Sequence, residues 1–166
     1  ITTPPFALAE IVGPSSICSG DSLVLSSLQG GTYLWSTGAQ TRELRLKPIR
    51  SETYKLTFTG SNQCQDTAQI TVKVNERPEV NAGPDRQICA GDSLILQGSG
   101  ALSYIWDAGV FDGKAFFPRD TKIYTMIGTS AEGCKDTAQV QVQVNPVPKL
   151  VLPPAVEVCV GETVSI

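Results

Sequence analysis

Histidine is absent from the 166 residues, and methionine occurs once. The first absence removes the commonest general base and the commonest metal ligand from any site the chain could build. Charge is sparse too: 13 Lys and Arg against 16 Asp and Glu leave a net −3, spread without runs. That gives no electrostatic footprint for nucleic acid or for an anionic membrane, so neither is expected as a partner. No apolar run approaches the length needed to cross a bilayer, and membrane insertion by this segment is not expected. No charged, apolar and small-residue leader opens the chain, so the segment gives no direct statement on export. No stretch carries a helical period.

For catalysis the inventory is thin. Nothing pairs a nucleophile with a base, and no Gly-rich phosphate loop precedes a helix. The acidic residues are isolated, without the dense alternating oxygen ligands of a high-affinity calcium loop. Asp107, Asp112 and Asp120 face no acidic counterparts in the earlier half of the chain and read as solvated loop charges. The chain is therefore expected to be non-catalytic, with no cofactor and no metal site.

What is present is repetition. Cys18-Ser-Gly-Asp-Ser-Leu-Val-Leu returns as Cys89-Ala-Gly-Asp-Ser-Leu-Ile-Leu and, weakened, as Cys159-Val-Gly-Glu-Thr-Val-Ser-Ile. Tyr33-Leu-Trp35 recurs as Tyr104-Ile-Trp106, and Cys64-Gln-Asp-Thr-Ala-Gln as Cys134-Lys-Asp-Thr-Ala-Gln. The interval is 71 residues from Cys18 to Cys89 and 70 from Cys89 to Cys159, too long for a helical solenoid and suited to small β-domains in series. The organisation read from this is a linker or end of a preceding repeat at 1–7, one repeat at 8–75, a second at 76–146, and the start of a truncated third at 147–166. The segment is expected to be a piece of a much longer protein.

Five cysteines bear on the compartment. Each full repeat holds two, and a pair some 45 residues apart without histidine is a poor zinc site. A disulfide inside each repeat is the expectation, Cys18–Cys64 and Cys89–Cys134, against buried free thiols as the alternative; the partner of Cys159 would lie beyond the segment. Domains of about 70 residues bury a modest core and often need such a staple. Disulfides in turn imply an oxidising compartment and hence an exported, extracellular protein.

Alternating apolar residues bounded by Gly, Asn, Asp or Pro mark strands, as in Thr53-Tyr-Lys-Leu-Thr-Phe-Thr and Ala68-Gln-Ile-Thr-Val-Lys-Val. In the second repeat they predict strands near 80–88, 93–97, 102–107, 114–117, 122–129 and 137–144. Six or seven short strands in 70 residues predict an all-β protein of antiparallel β-sandwiches of immunoglobulin-like type. Tyr33 with Trp35, and Tyr104 with Trp106, share a strand face and are expected as core anchors. Exposed aromatics such as Phe116 and Phe117 are the candidates for a direct binding role. Pro78, Pro146 and Pro148 mark the joints between repeats and should stiffen them.

The succession Cys-x-Gly-Asp-Ser-Leu-x-Leu, Tyr-x-Trp, Thr-x-Tyr, Gly-Cys-x-Asp-Thr and Val-x-Val-Asn-x-x-Pro resembles the tandem immunoglobulin-like or PKD-like repeats of giant Bacteroidetes cell-surface proteins. Gliding-motility adhesins exported by type IX secretion are among these proteins. Trp106-Asp-Ala-Gly-Val-Phe-Asp-Gly113 is similar to the Trp-x-Phe-Gly-Asp-Gly signature of PKD domains, although neither repeat carries it in full. The resemblance implies a long extracellular adhesin or filament in which these repeats are spacers. Its partners would be neighbouring repeats of the same chain, then surface polysaccharide or other filament subunits. It places the disulfide of each repeat near one end of the sandwich. It also implies O-glycosylation at Asp-Ser/Thr sites, here Ser22, Thr67, Ser93 and Thr137. The alternatives are a polysaccharide- or protein-binding module, or accessory domains of a secreted hydrolase.

Overall fold

The computed structural model describes residues 8–151. Twelve strands run along them: β1 (Ser16–Cys18), β2 (Leu23–Ser26), β3 (Thr32–Trp35), β4 (Glu43–Leu46), β5 (Glu52–Thr59), β6 (Gln65–Asn75), β7 (Arg86–Cys89), β8 (Leu94–Ile95), β9 (Ser103–Trp106), β10 (Ala115–Phe116), β11 (Lys122–Thr129) and β12 (Lys135–Asn145). Among the described residues there is no helix. The strands form four sheets in two matching sets, β1-β6-β5-β3 with β2-β4, and β7-β12-β11-β9 with β8-β10.

Period-two alternation builds each core. Tyr54, Leu56 and Phe58 of β5 point inward between exposed or half-buried neighbours, and Ile70 and Val72 alternate with exposed residues along β6. They meet Leu23, Leu25 and Leu44 from β2-β4, so two sheets close over one apolar cluster. A second cluster, around Leu96, Trp106, Tyr124, Met126, Val140 and Val142, repeats the arrangement in the later unit. With this strand order the protein is an all-β immunoglobulin-like sandwich, written twice.

The opening strand of each unit is shorter than its apolar pattern predicts. The stretch 80–88 is not one strand: Asn81 makes an isolated antiparallel bridge to Ser99, and only Arg86–Cys89 forms β7, parallel to β12. Gly83-Pro84 lies between them, with Gly83 at φ +80°, and proline has no N–H for the ladder. Gly13-Pro14 stands at the same place in the first unit, between the Val12–Ser26 bridge and β1. The chain thereby leaves one sheet and joins the other.

The parallel pairing fixes where the cysteines fall. Cys18 at the end of β1 lies opposite Asn75, the last residue of β6, whereas Cys64 immediately precedes Gln65, its first. Cys89 and Cys134 flank β12 in the same way. Ten residue steps of extended chain span about 33 Å. Cysteine Cα atoms more than about 7 Å apart cannot be bridged. The expected pairs Cys18–Cys64 and Cys89–Cys134 thus sit at opposite ends of their sandwiches and do not form. The resemblance placed each of these bonds near one end of its own sandwich, and the structure forms neither.

Candidate functional site: the stapled joint

The disulfide formed among the described residues joins the two units. Cys18 is bonded to Cys134, 116 residues away in sequence, with Cα atoms 5.6 Å apart. Two turns bring them together. After β1 the chain reverses through Ser19-Gly20, with Gly20 at φ +81° and Asp21 N–H donating to the Cys18 carbonyl at 3.0 Å. At the tip of the β11–β12 hairpin, Ser130 N–H donates to the Cys134 carbonyl (2.8 Å) and Gly133 N–H to Ser130 (3.1 Å). The hairpin tip of the second unit is set against the first turn of the earlier one.

Asn75, where β6 ends, is buried at this joint. Its side-chain amide donates to Ser16 Oγ (2.8 Å), and its carbonyl accepts Ser19 N–H (2.8 Å). The Cys134 sulfur lies 3.9 Å from the same carbonyl, a packing contact, since a bridged sulfur carries no proton to donate. Two residues on, Arg77 spans the joint. It donates from Nε to the Ser19 carbonyl (3.1 Å), from Nη1 to the Lys135 carbonyl (2.7 Å) and from Nη2 to the Asp21 carboxylate. One guanidinium thus ties the turn of the first unit to the hairpin of the second, using the fixed fork of donors that lysine lacks. Pro78 follows, buried, with its φ set by the ring.

Cys134 is fully buried, while Cys64 at the equivalent hairpin tip of the first unit is an exposed thiol, as is Cys89. Cys159 lies outside the described residues. Pro146 and Pro148 are exposed. Nothing in the sequence signalled the observed pairing: it is the parallel register of β1 on β6, and of β7 on β12, that sets the first cysteine of each unit beside the end of the last strand.

The aromatic positions are internal. Trp35 is 1% exposed and donates from Nε1 to the Thr41 carbonyl at 2.9 Å; Trp106 is 6% exposed and donates to Asp112 Oδ1 at 2.8 Å. Tyr33 and Tyr104 are half-buried against the two clusters, with hydroxyls donating to the carbonyls of Gln29 and Ala101. Asp112 is not the solvated loop charge its sequence context implied: Oδ1 also accepts Gly98 N–H at 2.7 Å, so it fastens the loop after β9 to the neighbouring turn. Asp107 accepts Thr125 N–H at 3.2 Å. Phe116 packs edge-on against Tyr124, ring centres 5.4 Å apart, while its neighbour Phe117 is 67% exposed.

Ser22, Thr67, Ser93 and Thr137 are all exposed. Beside Thr67, the Asp66 carboxylate accepts the amides of Ala9 and Thr67, each at 2.8 Å, and these bonds hold it below the usual carboxylate range. Burial raises the Tyr54 and Tyr124 hydroxyls, helped by the charges of Glu52 in one case and of Asp107 and Asp120 in the other. Among the described residues no group of three or more metal-ligating side chains converges. An open depression of about 250 Å³ beside Trp106 is lined by Ile105, Val110 and Phe111, and its walls are mainly apolar. No helix among the described residues is long and apolar enough to cross a membrane.

No family model matches the chain. A 96-residue stretch is 34% identical to the dyslexia-associated protein KIAA0319-like protein of Mus musculus, covering 50% of this chain and 9% of that protein. The matched stretch is thus under a tenth of the curated relative's length. Among solved structures, the insect immune protein hemolin aligns over 82% of this chain and 46% of its own, at 13% identity and a TM-score of 0.40. The N-terminal eight immunoglobulin domains of Down syndrome cell adhesion molecule align over 87% of this chain and 29% of theirs, at 16% identity and a TM-score of 0.38.

Proposed function

We propose that this segment is a non-catalytic spacer in a long extracellular surface adhesin or filament, one that sets the reach of binding regions elsewhere in the polypeptide. The observation that carries the reading is the joint. Each unit has its own apolar cluster, so the Cys18–Cys134 bond is spent on the angle between units, where Arg77 and the buried Pro78 act as well. A flexible tether would have no use for this. Bonding two units covalently suits a chain that must transmit tension or hold a distance, and the disulfide fits an oxidising, extracellular setting.

Within that reading, the repeat pattern favours a surface protein of the gliding-motility adhesin type, exported by type IX secretion, with glycans at Ser22, Thr67, Ser93 and Thr137. The exposed positions of these four hydroxyls are compatible with modification. Direct ligand binding by the second unit has one observation in its favour, the apolar depression at Ile105 and Phe111. It has lost another, because Phe116 is turned inward.

The test is the reduced, denatured mass of the native polypeptide. Several hundred kilodaltons or more is expected, which means dozens of repeats. A mass near that of an ordinary secreted enzyme would overturn the spacer reading in favour of accessory domains on a hydrolase.

A further inference from the structure

We propose that Cys64 and Cys89 are the two open halves of the same inter-unit staple: Cys64 bonds the Cys18-type cysteine of the preceding repeat, and Cys89 bonds the Cys134-type cysteine of the following one. The inference rests on the spacer reading only in taking repeats of this kind to flank the segment.

The argument is one of equivalence within the molecule. Cys89 ends β7 opposite Asn145 as Cys18 ends β1 opposite Asn75. Ala90 N–H donates to the Asn145 carbonyl at 2.8 Å, matching Ser19 to Asn75, and Asp92 N–H closes the same turn on the Cys89 carbonyl at 3.1 Å. Cys64 occupies the β5–β6 hairpin tip as Cys134 occupies β11–β12, with Gly60 N–H donating to the Cys64 carbonyl at 2.9 Å where Ser130 N–H donates to Cys134. Both free thiols therefore sit on backbone already shaped for the bond that their counterparts make. Exposure differs between equivalent positions in the direction the pairing requires. Among the described residues, the hairpin cysteine is fully buried where a joint covers it and exposed where none does.

Closing each bond joins two sulfurs, releases two protons and passes two electrons to a disulfide-bearing oxidant, which leaves as the dithiol. The resulting loops overlap, since the bond at Cys89 begins inside the loop closed by Cys18 and Cys134. A pulling force then runs along two interleaved paths. Each path follows the backbone only from a hairpin cysteine to the next strand-end cysteine, 25 residues from Cys64 to Cys89, before crossing a staple. That stretch can lengthen to about 85 Å at most, and everything from residue 90 to 133 is shielded.

The experiment is peptide mapping of the native full-length protein, alkylated and digested with trypsin without reduction, beside a non-reducing denaturing gel. The expected result is that peptide 56–73, carrying Cys64, is disulfide-linked to a strand-end cysteine peptide of the preceding repeat. The Cys89 peptide, 87–114, should be linked to a hairpin cysteine peptide of the following repeat, with the gel showing a single-chain mass. Alkylated Cys64 or Cys89, a Cys18–Cys64 link, or a gel ladder that collapses to one chain on reduction would each overturn the pairing. Free thiols in a protein of several hundred kilodaltons would do so while leaving the spacer reading intact.

Discussion

The two units share a fold and differ in how each secures its tryptophan. In the first, Trp35 Nε1 donates to the backbone carbonyl of Thr41; in the second, Trp106 Nε1 donates to the side chain of Asp112, which also takes Gly98 N–H. A buried indole needs an acceptor, and either source satisfies it. The hairpin tips differ similarly: the left-handed position is Gly133 in the second unit and Gln63, at φ 61°, in the first. At the joints, Arg77 follows Asn75 and Glu76, whereas Val147 stands at the corresponding place after Asn145 and Pro146. What recurs is what the core and the cysteine positions demand; what varies is the means of satisfying one local bond.

The comparison can be broken most severely at the tryptophans. Trp35→Ala or Trp106→Ala should each cost its own unit about 3–5 kcal/mol, through lost packing and the cavity left behind. Urea unfolding followed by the remaining tryptophan should show the other unit's midpoint nearly unmoved. Equal loss in both units would mean that the two cores fold as one.

A smaller and more selective effect is expected at Asp112. Replacement by alanine strands two donors, Trp106 Nε1 and Gly98 N–H, and should destabilise the second unit by about 1–3 kcal/mol, with asparagine restoring part of the loss. Thr41→Ala keeps its carbonyl and should leave the first unit within about 0.5 kcal/mol of the parent. If the two substitutions prove alike in thermal unfolding, the carboxylate does not play the part assigned to it.

The hairpin tips should give the smallest change. Gln63→Gly removes a left-handed side chain and should stabilise the first unit by about 0.5–1 kcal/mol, while Gly133→Ala should cost the second a similar amount. A Cβ at Gly133 would meet nothing within 4 Å, so the second substitution measures backbone strain alone. Calorimetry showing the two shifts with the same sign would remove that explanation.

The sequence by itself determined the all-β class, the repetition of one strand order and the inward placing of Trp35 and Trp106. These follow from short-range rules: alternation with period two places Tyr54, Leu56 and Phe58 inward, and a repeated pattern repeats its fold. The limits of the first strand were legible in part, because Gly13-Pro14 and Gly83-Pro84 announce a break although the apolar run continues across it. The role of Asp112 was not legible, since five residues of loop separate it from Trp106 and only the folded loop brings carboxylate and indole together.

The disulfide pairing was decided by tertiary structure alone. Two cysteines per repeat fit a bond inside a repeat as well as one across a joint, and spacing in sequence carries no direction in space. The parallel register of β1 on β6 sends Cys18 to the end of the sandwich away from Cys64, and the connection through Glu76 to Pro78 then delivers the next unit's hairpin to it. A disulfide forms only where two Cα atoms come within about 7 Å, and in this protein that distance is set between units.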